Sequence, residues 1–158
     1  MDIQLIIGPN NSGKSIYAEN LAVQNEDAPL IYLATMIPQT EENDQRIEKH
    51  KRQRAGKGFQ TIEEPWNIHE ISIPSDSIVL LEDASNLLAN GIFIHQSNAE
   101  ECFERILTLS HHCKKLLIVS IDGLTAGKYD SETNHYIDQL NLLNQMLANI
   151  SSDCKRFT

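Results

Sequence analysis

The chain has 158 residues, 41% of them hydrophobic, and a formal net charge of −9. This length and composition predict one domain over residues 1–158 with a sizeable core. The acidic balance argues against a nucleic-acid partner or an anionic membrane surface, because both would be repelled. No apolar run is long enough for stable membrane insertion, and no signal segment is visible at the N-terminus. Three cysteines without a C-x-x-C pair predict reduced, mostly buried thiols and a cytoplasmic protein.

The first predicted element is a strand at about residues 3–7, and a glycine-rich loop follows it directly. The loop fits the phosphate-binding pattern G-x-x-x-x-G-K-[ST], and a helical pattern follows at about 14–24. Its glycines permit a tight turn, and its backbone N–H groups and the helix N-terminus would face an anion. The loop consists of Gly8, Pro9, Asn10, Asn11, Ser12, Gly13, Lys14 and Ser15. We expect Lys14 to reach the β- and γ-phosphates of a nucleotide, and the Ser15 hydroxyl to ligate Mg²⁺.

A second strand is predicted at 30–33, then a loop at 36–42 and a polar helix at about 42–54. Ile47 is nearly the only large apolar residue of this helix, whereas Arg46, His50 and Arg54 share one face at i, i+4 and i+8. A helix that is polar all round is either solvated and held by ion pairs, or packed against something outside the core of its own fold. The basic residues around His50 also suit a local phosphate-binding surface.

Further on, short apolar runs again alternate with helical patterns. A strand is possible at 59–63, buried strands are predicted at 78–81 and 116–119, and a long helix at about 131–150. Ser97-x-x-Glu100 predicts the start of another helix, with His111 and His112 in its last turn. His69 and His95 are expected in loops. Cys154–Thr158 predicts the start of a last strand, and the sequence leaves open whether that strand is truncated.

This alternation predicts an α/β protein, a P-loop NTPase-type three-layer fold with a mostly parallel central sheet. Ligands of such folds bind at the carboxyl ends of the strands, which places the P-loop, Ala34, Thr35, Glu63, Glu82 and Asp122 along one edge. An acidic residue that ends a buried strand is typical of the Mg²⁺-side carboxylate, although an exposed strand end has the same pattern. Because side chains alternate along a strand, Glu82 and Asp83 are expected to face opposite ways, with Glu82 at the metal.

Several segments together resemble one known family. They are the P-loop after the first strand, Tyr32-Leu33-Ala34-Thr35, Arg46-Ile47-x-x-His50-Lys51-x-x-Arg54, Thr61-x-Glu63 and Leu80-Leu81-Glu82. Over about residues 3–90 the chain resembles adenosylcobinamide kinase / adenosylcobinamide-phosphate guanylyltransferase, a bifunctional enzyme of cobalamin assembly. The R-I-x-x-H-K segment is the specific part of the resemblance, since a P-loop alone occurs in many families.

The resemblance implies two reactions and their residues. A kinase step phosphorylates adenosylcobinamide from ATP or GTP, and a second step transfers GMP through a guanylylated histidine, here His50. It implies His50 and Lys14 as catalytic residues, Ser15 and Glu82 as ligands of Mg²⁺, nucleotide and corrinoid small molecules as substrates, and a homotrimer. The implied nucleotide contacts outside the P-loop are Leu33, Ala34, Thr35, Lys51, Arg52, Gln53, Arg54, Glu63 and Glu82.

Two other functions remain open from the sequence. One is a P-loop small-molecule kinase without guanylyl transfer, and the other is a nucleotide-binding module without catalysis. His50 with its basic neighbours favours the bifunctional enzyme over the plain kinase, which needs no such residue. Lys14, Ser15 and Glu82 together disfavour the non-catalytic module.

Overall fold

In a computed structural model, the described residues are 2–24, 27–37 and 41–158, and they form six strands and five helices. The predicted loop at 36–42 therefore lies partly outside the described residues. One turn of 3₁₀ helix, Ile68–Glu70, lies between the third and fourth strands. The elements are β1 Asp2–Gly8, α1 Lys14–Val23, β2 Leu30–Ala34, α2 Glu41–Arg54, β3 Phe59–Glu63, β4 Ile78–Glu82, α3 Ala84–His95, α4 Ala99–Ser110, β5 Lys115–Ile121, α5 Ser131–Ile150 and β6 Asp153–Arg156.

The six strands form one sheet in the order β3-β2-β4-β5-β1-β6, and every described pairing is parallel. The predicted α/β fold with a mostly parallel sheet is confirmed. The register aligns the carboxyl ends: Ala34 pairs with both Glu63 and Glu82, and Gly8 pairs with Ile121. The ends of five strands therefore meet at one edge, where open parallel sheets bind ligands.

Side-chain alternation along the strands divides the core into two layers. Alternate residues of the central strands pack under α3, α4 and α5 on one face of the sheet. The residues between them pack against Ala18 and Ala22 of α1 on the other face. All five residues of β4 are buried, as expected for a parallel strand covered on both faces.

Helix α3 was not among the predicted elements. Its segment contains Gly91 and two asparagines, and its apolar residues lie on more than one face. The sequence therefore has no amphipathic stripe that would predict a helix there. Asp83 caps its N-terminus by accepting a hydrogen bond from the Asn86 backbone N–H at 2.7 Å. The expectation that His69 and His95 lie in loops was wrong, because His95 ends α3 and His69 lies in the 3₁₀ turn.

The predicted start of α4 was one residue early. Asn98, not Ser97, is the N-cap, and its side chain accepts a hydrogen bond from the Glu101 N–H at 2.9 Å. Asparagine caps at least as well as serine, and Asn98-x-x-Glu101 has the same spacing as the predicted box. The helix ends at Ser110, so His111 follows it rather than lying in its last turn.

The cysteines only partly follow the expectation of buried thiols. All three are free, but Cys102 is buried, Cys113 is half-buried and Cys154 is exposed. Burial raises the pKa of the Cys102 thiol to about 12. Among the described residues, no helix is long and apolar enough to cross a bilayer.

Gly91 gives a test of the packing between α3 and the segment after β3. A Cβ built on Gly91 would lie 2.4 Å from the Trp66 ring, which is itself buried. Gly→Ala in a helix normally stabilises by about 0.5–1 kcal/mol. We expect Gly91→Ala instead to lower the free energy of unfolding by about 1–3 kcal/mol through overpacking, measured by urea titration. In a Trp66→Leu background the same change should cost nothing, and equal costs in both backgrounds would contradict this account.

Candidate active site

The P-loop has the backbone that phosphate binding requires. Asn11 and Gly13 adopt left-handed conformations, with φ of 59° and 90°. Left-handed residues in such a turn direct successive N–H groups toward a common point, which forms an anion-binding concavity. Gly13 is the N-cap of α1, so Lys14 is the first helical residue. Its Nζ donates to the Pro9 carbonyl at 3.0 Å, and burial lowers the pKa of this amine.

Gly8, the first residue of the P-loop, is fixed as glycine by packing. A Cβ there would lie 2.8 Å from the Phe157 Cβ and 3.2 Å from the Phe157 carbonyl oxygen. The Phe157 N–H donates to the Ile7 carbonyl at 2.8 Å, and the Phe157 ring meets the edge of Tyr17 on α1. The segment after β6 therefore covers the start of the phosphate loop.

A cleft of about 340 Å³ opens at the carboxyl edge of the sheet, between the P-loop and α2. Most of its lining residues are polar or charged, and they come from six separate segments of the chain. They are Asn10, Asn11, Gly13, Lys14, Ser15, Ile16, Tyr32, Ala34, Met36, Arg46, Ile47, Lys49, His50, Gln53, Arg54, Glu63, Glu82, Asp83, Asn86 and Val119.

Glu82 lies at the base of the cleft with one carboxylate oxygen free. The Ser15 hydroxyl donates to Oε1, while Oε2 is buried and has no hydrogen-bond partner. Burial, and next the negative charge of Asp83, raises the pKa of Glu82 to about 8. A buried, unpartnered carboxylate oxygen beside a serine hydroxyl is a donor set that suits an oxygen-seeking cation such as Mg²⁺. Among the described residues, no group of three or more His, Cys, Asp or Glu is arranged to hold a metal ion.

Asp83 also lines the cleft, which corrects the expectation that it faces away from Glu82. Alternation does not extend to it because β4 ends at Glu82 and Asp83 begins the turn into α3. Its Oδ1 accepts hydrogen bonds from the Asn86 N–H and the Ser85 hydroxyl, both at 2.7 Å. Asp83 is thus occupied as a helix cap, whereas Glu82 is not.

Thr35 joins the ends of two strands rather than lining the cleft. Its hydroxyl lies 3.2 Å from the Glu82 carbonyl and 3.0 Å from the Asp83 carbonyl, and it accepts from the Asp83 N–H at 3.1 Å. The Asn90 side chain donates to the Thr35 carbonyl at 2.8 Å. This buried network fixes the backbone on which Glu82 is mounted.

Helix α2 places His50 across the cleft from the P-loop. Its Nδ1 lies 3.9 Å from the Glu82 Oε1, and the imidazole is 25% exposed. Desolvation lowers the pKa of His50, so the neutral ring is favoured at pH 7. Nδ1 is buried without a hydrogen-bond partner, which leaves Nε2 as the nitrogen able to meet a ligand.

Arg54, at the end of α2, is held rigidly at the cleft wall. Its guanidinium lies 3.7 Å from the centroid of the Tyr32 ring, and its Nε and Nη2 donate to the Thr61 hydroxyl at 3.3 and 3.2 Å. Cation–π stacking and two donors to one acceptor fix the plane of the group. Arg54 and Glu63 also border a second cavity of about 540 Å³, together with Lys51 and the loop after α2.

The structure brings together most, but not all, of the predicted site residues. Leu33 is fully buried in the core, so only its backbone is available to a ligand. Gly8, Pro9 and Ser12 are not among the residues that line the cleft, and Lys51 lines the second cavity. Arg52 is exposed and lines neither of these two cavities.

Two residues that contribute to the site were not identified from the sequence. Tyr32 was predicted in a strand and quoted in a family segment but was given no role at the site, yet its ring supports Arg54 inside the cleft. Glu19 lies on the buried side of α1 and contacts the α2 region. The available signal was spacing, because Ser15, Glu19 and Ala22 fall at i, i+4 and i+7, which puts a carboxylate on the inward stripe of a helix.

The sheet order, with a P-loop between β1 and α1, defines the chain as a P-loop α/β protein. The family model described as cobinamide kinase / cobinamide phosphate guanyltransferase matches residues 4–156, and the chain belongs to this family. Membership makes it a transferase of cobalamin biosynthesis that acts on nucleotide and corrinoid small molecules.

A similar fold occurs in a solved structure of a different kind. The crystal structure of the flagellar accessory protein FlaH from Methanocaldococcus jannaschii superposes with a TM-score of 0.57 at 11% identity. The match covers 98% of this chain and 70% of that one, and at this identity it concerns the fold alone. No curated protein matches the sequence significantly.

Lys14 provides the first test of the cleft. We expect Lys14→Ala to weaken Mg-GTP binding about 10- to 100-fold, the value of a charge-assisted contact to phosphate. Isothermal titration calorimetry measures the affinity, and circular dichroism should show an unchanged fold. The matched control is Lys128→Ala, an exposed lysine in the loop before α5. Wild-type affinity in Lys14→Ala would contradict the P-loop assignment.

Glu82 and Asp83 can be separated by amide substitution. We expect Glu82→Gln to reduce Mg²⁺-dependent turnover by about 100-fold or more, because a neutral amide cannot offset cation charge. Asp83→Asn should retain turnover, since asparagine caps a helix as well as aspartate does. Initial rates across a Mg²⁺ titration measure both variants. The reverse order of losses would show that the register of the site is wrong by one residue.

Proposed function

We propose that the chain is bifunctional, phosphorylating adenosylcobinamide from ATP or GTP and then transferring GMP to the product through His50. The observation that carries this proposal is the presence of His50 in the same cleft as Lys14 and Ser15. A kinase alone needs the P-loop and an acceptor, but no imidazole on an overlying helix. The proposal deepens the family assignment by naming the donor class and the covalent residue.

The kinase step would use the P-loop side of the cleft. The acceptor hydroxyl attacks the γ-phosphorus and releases its proton to solvent, the bond from that phosphorus to the β,γ-bridging oxygen breaks, and a nucleoside diphosphate leaves. Lys14 and the loop N–H groups offset the negative charge that develops on the transferring group. The partly desolvated cleft strengthens these contacts relative to bulk water.

The guanylyl step would use the α2 side. The neutral Nε2 of His50 attacks the α-phosphorus of GTP, a P–N bond forms, and the bond to the bridging oxygen breaks so that pyrophosphate leaves. A phosphate oxygen of adenosylcobinamide phosphate then attacks the same phosphorus, which breaks the P–N bond and regenerates the imidazole. Arg46 and Arg54 border the same cleft and would offset phosphate charge in both halves of the reaction.

Mg²⁺ fits the donor set at the base of the cleft, where Ser15 and Glu82 would hold it. When bound, it would supply positive charge that neutralises part of the charge of the phosphates. The free Oε2 of Glu82 supports this role, because a buried carboxylate oxygen is costly to leave without a partner.

His50 carries the sharpest prediction. We expect His50→Ala and His50→Asn to retain phosphorylation of cobinamide and to lose both GMP transfer and covalent labelling by α-labelled GTP. The asparagine side chain is an amide, which cannot form a phosphoramidate. The asparagine variant therefore tests the loss of the nucleophile separately from the loss of side-chain shape. The label on the wild-type protein should survive denaturation and base but be lost in acid.

Two other histidines serve as matched controls. His69→Ala and His95→Ala remove imidazoles that lie in the 3₁₀ turn and at the end of α3, respectively. Both variants should label like the wild type. Label that persists in His50→Ala but disappears in one of these variants would contradict the assignment.

We also propose a homotrimer. The family resemblance supports it, and so does α2, of whose fourteen residues only Arg54 is buried. Light scattering at micromolar concentration should give about three times the chain mass of 17.8 kDa. A mass near that of one chain would contradict the trimer.

A further inference from the structure

Helix α2 carries His50 but has almost no apolar anchor. Its partly buried positions are Asn43, Ile47, His50 and Gln53, and only Ile47 among them is apolar. The hydrophobic contacts that usually orient a helix are therefore nearly absent. The orientation of His50 toward the P-loop must come from specific polar contacts between α2 and the body of the protein.

One group of these contacts converges on Glu19. This residue is on α1, one turn after Ser15, and its exposed fraction is 0%. Oε2 accepts a hydrogen bond from the Gln53 side-chain amide, and Oε1 pairs with Lys57 Nζ at 3.2 Å. Each carboxylate oxygen therefore has its own partner, and both partners belong to the segment that carries His50.

The turn after α2 directs Lys57 back to Glu19. Gly56 and Gly58 flank it with φ of 79° and 86°, a conformation that residues with a Cβ rarely adopt. The Lys57 N–H donates to the Arg54 carbonyl at 3.1 Å, which closes the turn against the end of α2. The Gly56-Lys57-Gly58 turn therefore places the Lys57 ammonium against Glu19, near the C-terminal end of α2, instead of in solvent.

Gln53 is the link between this contact and the nucleophile. It follows His50 by three residues, so the two side chains lie on the same face of α2, one turn apart. A hydrogen bond at Gln53 fixes both the rotation of the helix about its axis and its distance from α1. Because α1 begins at Lys14, the same bond sets the distance from the phosphate loop to the imidazole.

We propose that Glu19 is a positioning residue for guanylyl transfer, which holds the His50 helix at the P-loop through Gln53 and Lys57. The inference rests on the proposed function, since it names how the covalent step is aligned. Glu19 touches neither nucleotide nor acceptor in this scheme. Its removal should leave phosphate binding and the kinase step intact, because those depend on the P-loop itself.

The expected loss of labelling rate follows from how closely His50 must be aligned with the α-phosphorus. A misplacement of about 1 Å between a nucleophile and its target costs about 100-fold in rate. We expect Gln53→Leu, Lys57→Met and Glu19→Gln to slow covalent labelling by α-labelled GTP about 10- to 100-fold at saturating nucleotide. In Glu19→Gln and Lys57→Met, which change residues outside the cleft lining, the dissociation constant of Mg-GTP and the rate of cobinamide phosphorylation should stay within about twofold of wild type, so the loss is confined to one step.

The controls make the same chemical changes at exposed positions. Gln45→Leu alters α2 without touching Glu19, and Lys128→Met removes a lysine far along the chain. Both should label like the wild type. Glu19→Gln changes a buried group and could fold poorly. Gln53→Leu and Lys57→Met break the same contacts from the less buried side, so the test remains valid without Glu19→Gln.

A double-mutant cycle tests whether the contact between Glu19 and Gln53 is itself responsible for the change in labelling rate. If Glu19 acts through Gln53, the Glu19→Gln/Gln53→Leu protein should label no more slowly than the slower single variant. Additive losses would overturn the proposal, as would wild-type labelling rates in the Gln53 and Lys57 variants. A parallel loss of kinase rate in Glu19→Gln and Lys57→Met would also overturn it, since that would indicate general loosening. Failure of the proposed function would differ, because wild-type protein would then not label or His50→Ala would still label.

Discussion

The structure depends on the parallel register of its sheet. Because every described pairing is parallel, each strand must return through a crossover, and all carboxyl ends come to one edge. The register sets Glu63, Ala34 and Glu82 side by side, with the P-loop leaving β1 two strands beyond. Residues far apart in sequence thus become neighbours at one edge of the sheet.

The chemistry of the cleft follows from the burial of ionisable side chains away from water. Lys14 and His50 lose affinity for protons on burial, and Glu82 gains it, so all three are shifted toward their neutral forms in the free protein. A triphosphate and its cation supply the opposite charges. A bound triphosphate and cation would therefore favour the ionised forms of Lys14 and Glu82, whereas burial alone favours the uncharged imidazole of His50.

The sequence was most informative where local chemistry determines structure. The P-loop, the buried strands and α5 could be read from spacing and apolar runs, and His50 from a motif. Helix α3 could not, because its interior glycine is explained by the Trp66 ring, which only the folded chain brings near. Asp83 was misjudged because a helix begins where the strand ends. The tie between Glu19 and Gln53 is likewise tertiary, since neither residue specifies its partner in the sequence.

Gly8 and Phe157 also bear on how such a sequence can change over time. The backbone of the phosphate loop and the segment after β6 are in van der Waals contact, with no space left between them for a methyl group. A substitution that adds a side chain at position 8 can be accepted only if the C-terminal segment has first moved away. We therefore expect positions 8 and 157 to be epistatic, since the glycine that is usually attributed to ligand binding is also required by the packing of the segment after β6.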